Sequence, residues 1–138
     1  MKRLFATIAS VAVLGACWGA PPNESILSAQ CEALFEGDAR TMSRITNQAE
    51  TTLTGFCDCF AAQAMKSPDL VDTYKDVLIA MNEAKEDGGD VEAAAERIEE
   101  MTRDRSITTF SEDDLEGLGD FFQDLSVDLA TAGGTCPA

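Results

Sequence analysis

The chain has 138 residues, 25 acidic against 10 basic side chains and a formal net charge of −15, and its length indicates one domain with a core of ordinary size. It contains no histidine, so it lacks the commonest general base and the commonest transition-metal ligand, which argues against an enzyme. We expect no nucleic-acid partner, because phosphate contacts require a basic face and the basic residues form no cluster.

The N-terminal segment has the pattern of an export signal. Lys2 and Arg3 precede an uncharged, mostly apolar run over residues 4–16, as in the charged and hydrophobic parts of a secretory signal. That run would span about 20 Å as a helix, against about 30 Å for the hydrocarbon core of a bilayer, which disfavours a permanent transmembrane helix. We therefore predict a signal peptide over residues 1–16.

The signal segment ends in Leu14-Gly15-Ala16-Cys17. This run resembles the lipobox of bacterial lipoproteins, in which a branched apolar residue and two small residues precede a cysteine. The resemblance implies a lipoprotein-type signal peptide, and a Cys17 that is lipidated, becomes the mature N-terminus and anchors the protein in the membrane. In that family an aspartate after the cysteine tends to retain the protein at the inner membrane. Trp18 occupies that position here, which favours the outer membrane, with the domain facing the periplasm.

Ordinary signal cleavage, giving a soluble periplasmic or secreted protein, is the alternative. It would place Leu14 or Trp18 where a small residue is expected. The count of cysteines also favours lipidation, because five cysteines leave an odd thiol in an oxidising compartment, whereas acylation of Cys17 leaves four that can pair completely.

After the signal, the sequence predicts a lipidated cysteine and short tether over residues 17–22 and a helical domain over 23–138. Two prolines and a glycine disfavour regular structure in the tether, whose reach is at most about 20 Å. Lys2 and Arg3 lie in the signal segment, so eight basic and 25 acidic residues remain, a net charge of −17. This acidity predicts a soluble surface, or a docking surface for a basic partner or for divalent cations.

Apolar residues at helical spacing run through most of the domain. The first predicted helix begins after an N-cap at Asn23, carries Ile26, Leu27, Cys31, Leu34 and Phe35, and ends at Gly37. Residues 38–52 are rich in threonine and polar side chains, and we interpret them as a loop or a frayed helical entry. The next helix contains Cys57 and Cys59 and continues to about residue 66.

Three further helices are predicted towards the C-terminus. The first starts at Ser67-Pro68, has Leu70 in its apolar stripe, and stops at Gly88-Gly89; the second is capped by Asp90. The last begins with a capping box in which aspartate replaces the usual glutamate, Ser111 to Asp114, and ends at Gly133-Gly134. We therefore predict an all-α fold, a small bundle of four to five helices joined by disulfides, after an N-terminal signal segment.

The spacing of Cys57 and Cys59 restricts the disulfide pattern. Two positions along a helix correspond to a rotation of about 200°, so the two sulfurs diverge and should not bond to each other. Cys31 and Cys57 each lie near the centre of an apolar stripe, whereas Cys59 lies off the stripe and Cys136 lies on the C-terminal tail. We predict the pairs Cys31–Cys57 and Cys59–Cys136, with Cys31–Cys59 as the remaining alternative.

The spacing of the cysteines and of the acidic residues also indicates whether the chain can form a metal, cofactor or catalytic site. A one-residue interval on a helix cannot present Cys57 and Cys59 to one metal ion. A redox role would require a cysteine of lowered pKa near a helix N-terminus or a basic group, and Asp58 stands between the two instead. The acidic stretch around Gly88-Gly89 does not fit a calcium loop. We expect no metal, no cofactor and no catalytic residue.

These observations favour an exported, lipid-anchored, acidic helical protein that acts as a binding or assembly component of the bacterial cell envelope, with a partner that has a basic surface. The alternative is a periplasmic thiol–disulfide redox protein that uses the Cys57/Cys59 pair.

Overall fold

The computed structural model describes residues 22–138, so the predicted signal peptide, Cys17 and all but the last residue of the tether lie outside the described part. Within it there are six α-helices and no strand: α1 Pro22–Phe35, α2 Ala39–Asn47, α3 Leu53–Ala64, α4 Pro68–Glu86, α5 Val91–Arg103 and α6 Glu112–Thr131. None of these helices is both long enough and apolar enough to cross a bilayer. The all-α class is confirmed, but the prediction of four to five helices is wrong.

The additional helix is α2, in the segment interpreted as a loop or a frayed entry. The Asp38 side chain accepts a hydrogen bond from the Thr41 backbone N–H at 2.8 Å and so caps the first turn of α2. Of the nine residues of α2, only Ile45 is buried. A helix with so small an apolar face gives a weak periodic signal, which is why the sequence pattern did not separate it from a loop.

The start of α1 also differs from the prediction. Asn23 lies inside the first turn, after Pro22, and its side-chain oxygen accepts a hydrogen bond from Lys75 Nζ on α4 at 3.1 Å. Proline suits the first helical position because its missing N–H would have no intrahelical partner there. The other predicted boundaries agree better, since Asp90 caps α5 and the capping box of Ser111 and Asp114 is formed at α6.

Helix α1 lies between α3 and α4. It contacts the first half of α3, where the Ser28 hydroxyl donates a hydrogen bond to Asp58 and Cys31 is joined to Cys57. It runs parallel to α4, where Asn82 Nδ2 donates to Gln30. At the C-terminal end of α1, Lys85 Nζ donates to the carbonyls of Leu34 and Glu36, both at 2.7 Å, so a cation from α4 satisfies groups that α1 itself leaves unpaired.

The core is centred on α3, where six of 12 residues are buried. Phe60 lies 4.7 Å from Phe122 of α6 and 6.3 Å from Tyr74 of α4, ring centre to ring centre. Phe35 of α1 is 5.0 Å from Phe122 in an edge-on arrangement. Most predicted apolar stripes face this core. Ile26 and Leu70 do not, since each is 41% exposed while its neighbour Leu27 or Val71 is buried.

Candidate functional site

The four cysteines of the domain form two disulfides, and these are the two predicted pairs. Cys31 is bonded to Cys57 with a Cα–Cα distance of 5.6 Å, and Cys59 is bonded to Cys136 with a Cα–Cα distance of 5.4 Å. Nearly opposite faces of α3 therefore connect to α1 and to the C-terminal tail. Cys17, the predicted lipidation site, lies outside the described residues.

The C-terminal tail is held against α3 and the preceding link. Gln63 Nε2 donates to the Pro137 carbonyl at 2.5 Å, next to the Cys59–Cys136 bridge. Gly134 has a left-handed φ of +81°, and a Cβ built there would lie 2.2 Å from the Glu50 carbonyl oxygen. Only glycine fits such an approach, so the turn after α6 places the tail beside α3.

An open groove runs along α6 on the side facing α1, α2 and α5. It consists of two adjoining hollows of about 530 and 790 Å³. Both hollows are lined by Phe35, Val91, Gly119 and Phe122, so they form one continuous surface. We refer to this surface as the α6 groove. Its lining residues extend from Glu112 to Thr131, which are the two ends of the helix.

The two ends of the α6 groove differ in charge. Three glutamates line the smaller hollow, which we call the acidic end: Glu99, Glu112 and Glu116. Arg103 lies beside this end and contacts Glu99 at 2.5 Å and Glu112 at 3.5 Å, so two of the three carboxylates share one cation. In the described residues Glu116 makes no ion pair.

The larger hollow, which we call the polar end, is lined by no carboxylate. Around its apolar floor of Ile45 and Phe56 it has hydroxyl and amide side chains and one guanidinium: Thr41, Arg44, Gln48, Gln123, Ser126 and Thr131. Val127 also lines this end and is 59% exposed. This end therefore combines an apolar floor with polar margins and one exposed apolar side chain.

Gly119 leaves the middle of the α6 groove open. A Cβ added at Gly119 would meet no atom within 4 Å, and the same holds at Gly117. Gly119 lines the groove and Gly117 does not, consistent with the rotation of about 200° between positions two apart on a helix. Glycine inside a helix costs about 0.5–1 kcal/mol relative to alanine, so the open space is present at a cost in helix stability.

Asp38 holds two walls of the α6 groove together. One carboxylate oxygen caps α2, and the other accepts a hydrogen bond from the backbone N–H of Val91 at the start of α5, at 3.3 Å. Burial raises the pKa of this carboxyl, but the hydrogen bonds from Thr41 and Val91 and the charge of Lys85 outweigh it, so the net pKa is lowered. Asp38 is therefore ionised at neutral pH.

The α6 groove is suited to noncovalent binding of an apolar surface that also carries positive charge. Its floor consists of aromatic and aliphatic side chains, and its lining contains no histidine, cysteine or lysine. In the described residues, no group of three or more cysteine or carboxylate side chains is placed to hold a metal ion. Cys57 and Cys59 belong to different disulfides and lie on α3, outside the groove lining.

The sequence pattern does not indicate the α6 groove. Phe122 lies at helical spacing with the other apolar residues of α6, but its position beside an opening depends on how the helices pack. One sequence signal was available: Gly117 and Gly119 lie in the middle of a 20-residue helix, where glycine is unfavourable unless space beside the backbone is needed.

Comparisons of the chain with protein-family models, with curated proteins and with solved structures found no significant match.

Proposed function

We propose that this protein is exported, anchored by lipid at Cys17 in the bacterial cell envelope, and binds another envelope protein through a preformed noncatalytic surface. The single observation that carries the binding role is the α6 groove, whose aromatic floor at Phe35 and Phe122 adjoins the core and opens to solvent. A groove with an apolar floor and a few polar groups at its margins is the usual form of a binding site.

Export is supported by the cysteines. All four cysteines of the domain are paired in disulfides, which persist in oxidising compartments. Cys17 is then the one cysteine left over, and it occupies the final position of the lipobox-like run. Trp18 beside it supports the outer membrane as the destination. The redox alternative lacks comparable support, because Cys57 and Cys59 are bonded to separate partners.

The anchoring part of the proposal is tested by Cys17→Ser. We expect the substituted protein to remain as an unprocessed precursor or to leave the membrane fraction, because no thiol remains to be acylated. Mass spectrometry of the protein and fractionation of the cells measure this. Processing to the same mass together with unchanged membrane fractionation would contradict lipidation at Cys17.

The binding part is tested by crosslinking in intact cells that produce the full chain at native level. We expect a discrete species of higher mass that contains this chain and a second envelope protein. Recovery of uncrosslinked chain alone, under conditions that crosslink a known envelope complex, would contradict a binding role.

A further inference from the structure

The α6 groove has the length and the floor to accept an extended apolar surface. Helix α6 has 20 residues, which correspond to about 30 Å at 1.5 Å per residue. Along this length the floor changes from Leu115 through Phe122 to Val127, with both outer residues partly or largely exposed. A ligand that fills both hollows must therefore be elongated and must present apolar groups along one side.

The tether that precedes the domain is too short to reach the groove. Pro22 and Phe35 are the two ends of α1, separated by 14 residues or about 20 Å, and the groove begins at the Phe35 end. Trp18 stands four residues before Pro22, so the extended chain reaches about 14 Å. This reach is shorter than α1, so Trp18 cannot extend as far as Phe35 and cover the floor.

A second copy of this chain is disfavoured by charge. The domain and tether carry a net charge of −17. Three of their carboxylates line the acidic end of the groove, which belongs to the surface that a second copy would approach. Like charges brought together across an interface oppose association. A partner with positive charge gains from the same arrangement.

The acidic end indicates where that positive charge would lie. Glu112 shares Arg103 with Glu99, and Glu116 has no ion pair in the described residues. Lysine or arginine side chains above Glu112 and Glu116 would complete these pairs at the edge of an apolar contact, where the partial exclusion of water strengthens the interaction.

From these observations we propose that the α6 groove binds an amphipathic helix of another envelope protein, whose apolar face lies on Phe122 and Val127 and whose basic end lies over Glu112 and Glu116. The inference rests on the proposed function and names the chemistry of its partner. An amphipathic helix laid in an apolar groove is an established mode of peptide recognition, and it supplies the elongated one-sided apolar surface that the groove requires.

The test uses a photoreactive amino acid in the full chain in living cells. It replaces Val127, which is 59% exposed within the groove, or, as a matched control, Leu70, which is 41% exposed and does not line it. We expect an adduct from position 127 and none from position 70. Mass spectrometry of the adduct should identify a segment with an apolar face at helical spacing and lysine or arginine at one end.

Two variants then establish that the adduct depends on the groove. Gly119→Leu places a side chain in the open middle of the groove, whereas Gly117→Leu adds the same side chain at a position that does not line it. We expect Gly119→Leu to abolish the adduct from position 127 and Gly117→Leu to leave it unchanged. Thermal unfolding of both purified variants confirms that they are folded.

The contribution of charge is measured with a synthetic peptide of the crosslinked segment and the mature protein in detergent. We expect Glu116→Lys to weaken binding by about 10-fold at low salt and less at high salt. Asp124→Lys makes the same change of charge on α6 outside the groove lining, and we expect a change of less than about 3-fold because exposed, distant charges are screened.

Several results would overturn the proposal. A phospholipid adduct, an adduct with a second copy of this chain, or no adduct from position 127 would show that the groove does not bind a helix of another protein. Equal weakening of peptide binding by Glu116→Lys and Asp124→Lys would contradict the proposal that a basic end of the partner lies over Glu112 and Glu116. A protein adduct from position 70 without one from position 127 would show that a partner binds elsewhere on the protein. That result would contradict binding in the α6 groove and leave the proposed binding function in place.

Discussion

Helices α3 and α6 share one aromatic cluster but differ in how they are held. Helix α3 buries six of its 12 residues and carries a cysteine of each disulfide, whereas α6 buries three of its 20 residues and carries no disulfide. Phe60 of α3 is fully buried, while its neighbour Phe122 on α6 is only partly buried and faces the groove. Most of the covalent and apolar stabilisation is thus on the α3 side.

This difference shows how a small domain can keep an apolar surface open. A domain of this size has a net stability of order 10 kcal/mol, and an uncovered groove and two helical glycines both reduce it. The disulfides lie outside the groove lining, so they restrict the unfolded chain without occupying the groove. The stabilised region and the binding region can therefore be changed separately, which the following predictions use.

The largest effect is expected from opening the buried bridge of the α3 side. Cys31→Ala with Cys57→Ala should lower the free energy of unfolding by about 4 kcal/mol, because the bridge closes a loop of 27 residues and both side chains are fully buried. Urea unfolding without reductant measures the loss. In strong reductant every disulfide is open in both the variant and the wild type. The difference between their free energies of unfolding should therefore shrink. A loss below about 1 kcal/mol would contradict the importance of this bridge.

The next effect tests the close approach of the tail to the α2–α3 link. Gly134→Ala should cost about 3 kcal/mol, because its Cβ would lie 2.2 Å from the Glu50 carbonyl oxygen at a left-handed φ. Gly133→Ala is the matched control: its φ is also left-handed, but the space beside it is empty, so about 1 kcal/mol is expected. Equal losses in urea unfolding would show that the contact with Glu50 contributes nothing.

A smaller effect is expected at the walls of the α6 groove. Asp38→Ala should cost about 2 kcal/mol at pH 7, because α2 loses its N-cap and the Val91 N–H loses its acceptor. Asp38→Asn should cost less, because asparagine also caps helices. The test is urea unfolding of both variants and the wild type at pH 7.

The pH dependence of this cost has a definite sign. The pKa of Asp38 is lowered in the folded protein from a reference value of 3.8, so its charge stabilises the fold fully above the unfolded pKa. That contribution is lost as the pH falls through the lower folded pKa. The stability difference between wild type and Asp38→Asn should therefore shrink below about pH 4. A difference that stays constant from pH 7 to pH 2.5 would contradict the role of the charge.

The smallest effect sharpens the comparison on α6 itself. Gly119→Ala and Gly117→Ala should each raise the free energy of unfolding by about 0.5–1 kcal/mol, because alanine is the better helix former and neither Cβ meets an atom within 4 Å. Chemical denaturation of the two variants tests this. Destabilisation by Gly119→Ala alone would show that the groove is closed at its middle in solution.

The sequence predicted those features that depend on local spacing. The divergence of Cys57 and Cys59 on one helix, the capping box at Ser111 and the glycines after α1, α4 and α6 are all properties of a few consecutive residues. The prediction missed α2, whose single buried residue, Ile45, gives almost no periodic signal. It also missed the role of Asp38, whose second hydrogen bond is to Val91, 53 positions along the chain.

The α6 groove could not be predicted for a related reason. Periodicity shows that Phe122 belongs to an apolar face, but whether a neighbour covers that face depends on how closely α2 and α5 approach α6. The positions of α2 and α5 depend on contacts distant in sequence, such as the hydrogen bond from the Val91 N–H to Asp38. Only the assembled helices show that Gly119 faces open space.

The central claim is that the α3 side is held firmly and the α6 side is open for binding. Native-state hydrogen exchange of the mature protein, followed by mass spectrometry, tests it directly, because exchange reports the free energy of local opening. We predict the slowest exchange in α3 and the adjoining α1, and exchange at least about 10-fold faster in α2 and the second half of α6. Equal protection of α3 and α6, or slower exchange in α6, would contradict the account.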